Sequence, residues 1–419
     1  MSIDSHGLNL PYIVFVESNT SGTGLLFAQT ARQLGFRPVL MCEDDSRYPW
    51  LRREGIEFCE AATGDISALS SSVAALRSKQ AIAGIFSSSE YYVEIAARLA
   101  RLEGLPGADP QAIASCRDKR RQRKLLREAG LSVPWFSAAT SRPEVSAALR
   151  ERPCPLILKP AFGTGSIGVR LCRTPDEVMG YADDLFARGL NERGTRVDPS
   201  ILIEEYLEGP EYSVEILGKQ VIGVTRKLLS AEPLFVETGH DFPAHLSEQT
   251  IASFGRVAMR GLSAVGLTWG PAHVELRLTR NGPVIIEINP RLAGGFIPEL
   301  VRHATGINLI EETLCAVVDR RPCLQATRRQ YASIRFFMTP GSGIVASFDG
   351  VEDARRVSGV CDAQMYRQPG DEIFPRGDFR DRIGHVIAMS QTLGMAAEAA
   401  EQGRLNLRVK LVRTEQLSS

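Results

Sequence analysis

Residues 273–295, HVELRLTRNGPVIIEINPRLAGG, read as a β-hairpin running into a glycine turn, and this hairpin limits what the rest of the chain can be. Val274–Leu278 and Val284–Ile288 have strand composition, with Arg280, Asn281 and Gly282 between them. A three-residue loop with Gly282 left-handed sets Glu275 opposite Glu287. Strand alternation then puts His273, Glu275, Glu287 and Asn289 on one face. A two-residue Asn-Gly turn would instead pair Glu275 with Ile288 and send the carboxylates to opposite faces. Like charges across a strand pair cost a few tenths to about 1 kcal/mol, so a cation is expected between them. Oxygen ligands from Glu275, Glu287 and Asn289 suit Mg²⁺, with Mn²⁺ an acceptable substitute, because Mg²⁺ completes its shell from water and substrate phosphates. The same residues also read as an ordinary charged hairpin with exposed carboxylates.

Composition narrows the function classes. The chain has 419 residues, enough for two to four compact units. Its 49 basic and 49 acidic residues balance, so no global field recruits nucleic acid or an anionic membrane. The eight cysteines form no Cys-x-x-Cys pair and no cysteine–histidine cluster, which fits reduced thiols better than disulfides or zinc. The apolar run Tyr12–Val16 is strand-length, and nothing approaches the roughly 18 apolar residues of a membrane span. A soluble, cytoplasmic protein is expected, with no membrane or nucleic-acid partner and a homodimer as the default assembly.

Residues 1–108 alternate strand and helix, as in an α/β unit with a parallel sheet: strands at Tyr12–Val16, Pro38–Cys42 and Ala81–Phe86, and helices ending near Leu34 and Leu102. The turn containing Gly22 and Gly24 suits either a phosphate or plain tight-turn geometry, the latter being favoured. From Pro110 the character changes. Arg117–Arg127 is expected to be one basic helix closed by Gly130, mostly a solvated face with Lys119 turned inward. Next, strands Leu156–Lys159 and Val169–Cys172 flank Phe162-Gly163-Thr164-Gly165-Ser166-Ile167-Gly168. Three glycines in six residues let backbone N–H groups approach phosphate oxygens, and Lys159 can add a point charge. The loop is also readable as a flexible glycine hairpin. Strands Ile201–Glu205 and Glu211–Leu217 follow, joined by a short turn that residue chemistry alone does not single out.

Taken in order, these segments resemble the ATP-grasp superfamily over roughly Asp118 to Asn308. The motifs carrying the resemblance are a lysine ahead of a small lobe, a strand lysine with a glycine-rich flap, a Glu-Glu-x-Leu hinge, and the Glu…Glu-x-Asn-x-Arg strand pair. The resemblance implies an α/β chain, with an N-terminal parallel-sheet domain (1–108) and a linker helix with a small ATP-binding lobe (109–207). A central grasp lobe (208–320) and a C-terminal α+β segment (321–419) would follow. It implies that Lys119 and Lys159 contact ATP phosphates under a flap of Gly163, Thr164, Gly165 and Ser166. Glu204, Glu205 and the backbone of Leu207 would serve the adenine end, and Glu211 the ribose. Glu275, Glu287 and Asn289 would hold Mg²⁺, with Arg291 facing the transferred phosphoryl group.

Within the superfamily, TRKLLSAEPLFVETGHDFPAHL and INPRLAGGFIPELVRHATGINLIE are similar to the carboxylate–amine ligases, particularly dipeptide-forming L-amino-acid ligases. That narrower resemblance implies amino acids as substrates, activation through an acyl phosphate, and an oxyanion-type site at the N–H groups of Gly294 and Gly295. Glu237, His240, Asp241 and His273 are candidate substrate contacts; the alternative for the first three is a capped turn with an internal His–Asp hydrogen bond. Arg335 either reaches a substrate carboxylate or forms a buried ion pair. A helix is expected near Asp381–Leu393. Carboxylation or formyl transfer on the same fold, or a non-catalytic ATP-binding module, are the competing readings.

Overall fold

A computed structural model describes residues 10–412 apart from 21, 22, 192 and 193. Ser21 and Gly22 of the first turn therefore lie outside the described residues. Four parallel strands form the N-terminal sheet in the order Glu57–Glu60, Arg37–Cys42, Tyr12–Val16, Ile82–Phe86. Its central strand is buried on both faces: Ile13 and Phe15 enter one core, while Tyr12, Val14 and Val16 enter another. That is why the run is continuously apolar instead of alternating. The first of those cores continues through Phe27 and Phe86 into Leu300, Val301, Leu314 and Val317, so the N-terminal sheet is packed firmly on the helices Ile297–Thr305 and Leu309–Val317.

The expected single basic helix is two helices, Pro110–Arg117 and Lys119–Glu128. Asp118 breaks them because it is extended there and its carboxylate accepts from the N–H groups of Arg120 and Arg121 at 3.0 and 3.4 Å, capping the second helix. The small lobe is an antiparallel sheet ordered Phe136–Ala139, Ile201–Glu205, Leu156–Pro160, Arg170–Cys172. Residues 161–169 bridge its last two strands as the flap.

An eight-stranded antiparallel sheet runs Gly282–Asn289, Pro271–Thr279, Glu211–Leu217, Gln220–Leu229, Glu237–Phe242, Tyr331–Met338, Arg382–Ser390, Val360–Met365. Strands from both sides of residue 320 belong to this one sheet. Where a helix was expected near Asp381–Leu393, the chain forms the strand Arg382–Ser390, and the helix follows at Leu393–Asn406. The reason is burial: Ile383, Val386, Ile387 and Ala388 are covered on both sides, so the run lacks the alternation that marks a strand. A three-stranded sheet ordered Glu372–Ile373, Gly343–Asp349, Arg408–Val412 completes the C-terminal segment. Among the described residues no helix is long and apolar enough to cross a membrane.

Candidate active site

The hairpin reaches the expected pairing by an unexpected route. Thr279 pairs with Gly282, so the loop is the two-residue Arg280-Asn281, with Gly282 at φ +105°. Continued unchanged, that register would set Ile286 opposite Glu275. A bulge at Ile286 shifts it by one residue, and Glu275 then pairs with Glu287 and His273 with Asn289. Gln122 pins the hairpin to the linker helix: its amide donates to Ile288 O at 3.1 Å and accepts from Ile288 N at 3.0 Å.

Glu275, Glu287 and Asn289 line a cleft of about 930 Å³, its open mouth included, between the small lobe and the central sheet. Its lining includes the apolar Ile157, Val169, Phe235 and Ile286 and the flap residues Gly163, Thr164, Gly165 and Ser166. Lys119 Nζ lies 3.0 Å from Glu287 Oε1 and donates to Gly163 O at 2.9 Å. Lys159 and Arg123 grip Glu204 from both sides, each at 2.5 Å, and Arg123 also donates to the bulged Ile286 carbonyl. Burial disfavours the Glu204 carboxylate, but Arg123 and Lys159 outweigh it and hold its pKa below the ordinary range. Both oxygens of Glu204 are thus committed to cations. Glu205 also lines the cleft, with its carboxylate accepting from Trp135 N at 3.0 Å and pairing with Arg152. At the hinge, Arg277 donates to Leu207 O at 2.7 Å and lies over the Tyr206 and Phe235 rings.

Lys227 is the hub of the cleft floor, 2.9 Å from Glu211, 2.6 Å from Glu237 and 3.1 Å from Glu275. Burial opposes its charge, yet the three carboxylates raise its pKa well above that of a free lysine. His273 bridges Glu215 at 2.9 Å and Glu275 at 3.2 Å. Its burial is likewise outweighed, by Glu215 and then Glu275, and its pKa rises to about 9. Arg291 donates to Thr164 Oγ1 at 3.0 Å and to Leu292 O at 2.9 Å, and pairs with Glu90 from the N-terminal domain.

Beyond Arg291 the chain turns through Gly294 and Gly295. Gly295 has φ +59°, and a Cβ there would sit 2.5 Å from His240 Nε2. His240 is fully buried, and neither ring nitrogen has a hydrogen-bond partner. Burial drives its pKa down to about 3, so the ring is neutral at ordinary pH. Glu237 beside it pairs with Arg382. The alternative, a capped turn, does not form: Glu237, His240 and Asp241 lie on one strand, where His240 and Asp241 face opposite ways. Asp241 pairs with Arg335 at 2.8 Å instead of His240, so Arg335 takes the ion-pair alternative.

Sequence reading passed over Arg123, Arg277, Lys227, Glu90 and Arg382. Two of these had local signals: Arg123 is one helical turn after Lys119, and Arg277 continues the His273–Glu275 face. Glu90 and Arg382 come from distant segments and had none.

The donor set fits a divalent cation held jointly with phosphate. Among the described residues no group of three or more His, Cys, Asp or Glu forms a metal cage by itself. Two carboxylates and one amide, on a face ringed by Lys119, Lys159 and Arg291, are the hard, incomplete oxygen set that Mg²⁺ shares with a polyphosphate.

Comparison with known proteins agrees with this geometry. A family model described as an ATP-grasp domain matches residues 152–299, and one described as L-amino acid ligase C-terminal domain 2 matches 335–412. The chain is 34% identical over 384 residues to the uncharacterized protein y4rH of Sinorhizobium fredii, covering 92% of this chain and 80% of that one. The chain belongs to the ATP-grasp carboxylate–amine ligases. As such a ligase it is also 29% identical to carnosine synthase 1 of Mus musculus over 59% of its length, but spans only 32% of that larger protein. Its fold matches the crystal structure of L-amino acid ligase from Bacillus licheniformis, with a TM-score of 0.80 and 21% identity over 97% of this chain and 99% of that one.

Proposed function

We propose that this ligase joins the carboxylate of one amino acid to the amine of another through an acyl phosphate, releasing ADP and phosphate. What carries the reading is the chemistry gathered in one cleft and in the chain that leads out of it. The cleft joins an apolar wall, the phosphate-directed cations Lys119 and Lys159, and the Glu275, Glu287 and Asn289 set. From Asn289 the chain leads out of that lining to Arg291, which is tied to the flap at Thr164, and to the Gly294-Gly295 turn against the buried His240 ring.

The base of the nucleotide lies against the apolar wall beside the backbone of Leu207, with Glu211 toward the ribose. Lys119 and Lys159 meet the phosphates. Glu204, whose oxygens are both held by Arg123 and Lys159, is assigned to positioning Lys159 instead of reading adenine. Glu275, Glu287 and Asn289 would hold Mg²⁺, which when bound neutralises charge on the phosphates. The substrate carboxylate attacks the terminal phosphorus, and Arg291 bears on the oxygens of the transferred group. The flap of Gly163–Ser166 keeps water from the acyl phosphate. The amine then attacks the activated carbonyl. Its oxyanion is met by the N–H groups of Gly294 and Gly295, and phosphate leaves as the amide forms. Glu237 and neutral His240 flank that turn and are assigned to the amino acid substrates. The experiment is phosphate release from Mg·ATP across the proteinogenic amino acids, singly and in pairs, with products weighed. Pair-dependent release with a product of the two masses less one water is expected. Release that depends on bicarbonate or formate instead would overturn the proposal.

A further inference from the structure

The flap of the small lobe touches the C-terminal segment at one aromatic side chain. Gly165 has φ +64°, and a Cβ built on it would lie 2.5 Å from Cδ1 and 3.0 Å from Cε1 of Phe379. Phe379 is a large apolar residue left 38% exposed, on a short 3₁₀ turn, Phe379–Asp381, that is strongly braced. Asp378, nearly buried, accepts from Arg380 N at 3.0 Å and from its guanidinium at 2.8 Å. Asp381 accepts from the N–H groups of Arg376 and Gly377 at 2.7 and 2.8 Å. Three residues after Phe379, Arg382 enters the central sheet and pairs with Glu237. The ring is therefore presented from a rigid mount continuous with the floor of the cleft.

At its base the flap is held by backbone bonds of Ala161 to Lys119 and Ser200 and by Arg120 over the Phe162 ring, while its Gly163–Ser166 tip is tied by Lys119 to Gly163 O and Arg291 to Thr164 Oγ1. Both tip ties use cations that phosphate oxygens would draw away. The apolar contact competes with no ligand. We propose that Phe379 is a latch for the glycine-rich flap, a positioning residue that keeps it shut while those polar ties are exchanged for the nucleotide. The proposal rests on the cleft being the nucleotide site for its purpose, although the contact itself does not. In this role Phe379 protects the acyl phosphate from water without touching it, and couples ATP use to amide formation.

The test is hydrogen exchange of residues 161–169 in the full chain, comparing wild type, Phe379→Ala and Phe379→Leu, with and without the non-hydrolysable Mg·AMP-PNP. Flap exchange is expected to rise about tenfold in Phe379→Ala, the size of shift that follows from losing part of one aromatic side chain's burial in a local opening. Phe379→Leu should restore most of the protection, and exchange elsewhere should be unchanged. With substrates, Phe379→Ala should release more phosphate per amide formed. Equal flap exchange in all three proteins overturns the latch. So does faster exchange spread through the whole C-terminal segment, which marks a merely structural role. If the alanine difference is present but AMP-PNP leaves wild-type exchange unaltered, the latch stands and the nucleotide reading falls.

Discussion

Lys227 sits within 3.1 Å of Glu211, Glu237 and Glu275, so one ammonium joins the groups assigned to ribose, substrate and metal. His240, 0% exposed a short distance along the same floor, is its opposite: neutral, buried and with no hydrogen bond to either ring nitrogen. The contrast makes a pH prediction. The His240 pKa falls from an ordinary 6.5 to about 3 on folding, so the unfolded chain binds the proton more readily between these values. Its contribution to stability is full above about pH 6.5 and is lost as pH falls toward 3. Chemical denaturation between pH 7 and pH 5 should show wild-type stability declining more steeply than that of His240→Asn; parallel slopes would refute the neutral buried imidazole. Arg291 makes a second residue-scale prediction. It reaches Glu90, Thr164 and Leu292 O from one planar group, which an ammonium cannot reproduce. Arg291→Lys should lower ATP turnover about 10²-fold in a protein that circular dichroism shows still folded, and near-wild-type turnover would remove it from the site.

At the scale of elements, the hairpin shows how much was legible. Its strands and its glutamates follow from composition and alternation. The register follows from neither, because it depends on a bulge at Ile286 held by the Arg123 guanidinium from another helix. The glycine flap and the strand Glu211–Leu217 were likewise readable, since turn residues and alternation are local. The strand Arg382–Ser390 was not, because burial on both faces erases the period that would mark it. The Gly294-Gly295 turn carries its own test. Gly295→Ala introduces a Cβ at φ +59° and against the His240 ring, at a backbone cost of roughly 1–2 kcal/mol before the clash is counted. Amide formation should fall at least about tenfold while Mg·ATP binding, measured by calorimetry, is retained; unchanged amide formation would separate the turn from the chemistry.

For the whole molecule, the N-terminal domain is more than a neighbour. Its core is continuous with the helices after Arg291, and Glu90 reaches across to the Arg291 guanidinium. Burial opposes the Glu90 charge, but Arg291, then Arg117 and Lys119, outweigh it and hold its pKa below the ordinary carboxylate range. Glu90→Gln keeps the shape and removes the charge. ATP turnover should drop about tenfold, a fraction of the roughly 3–5 kcal/mol that breaking a buried ion pair costs. Unchanged turnover would mean that the domain does not set the position of Arg291.

The central claim is that a substrate carboxylate is activated as an acyl phosphate in this cleft. The direct measurement uses a carboxylate labelled with oxygen-18, turned over with Mg·ATP and an amine. One label should appear in the released phosphate and the other remain in the amide. Turnover to the amide with no label in phosphate would contradict the account.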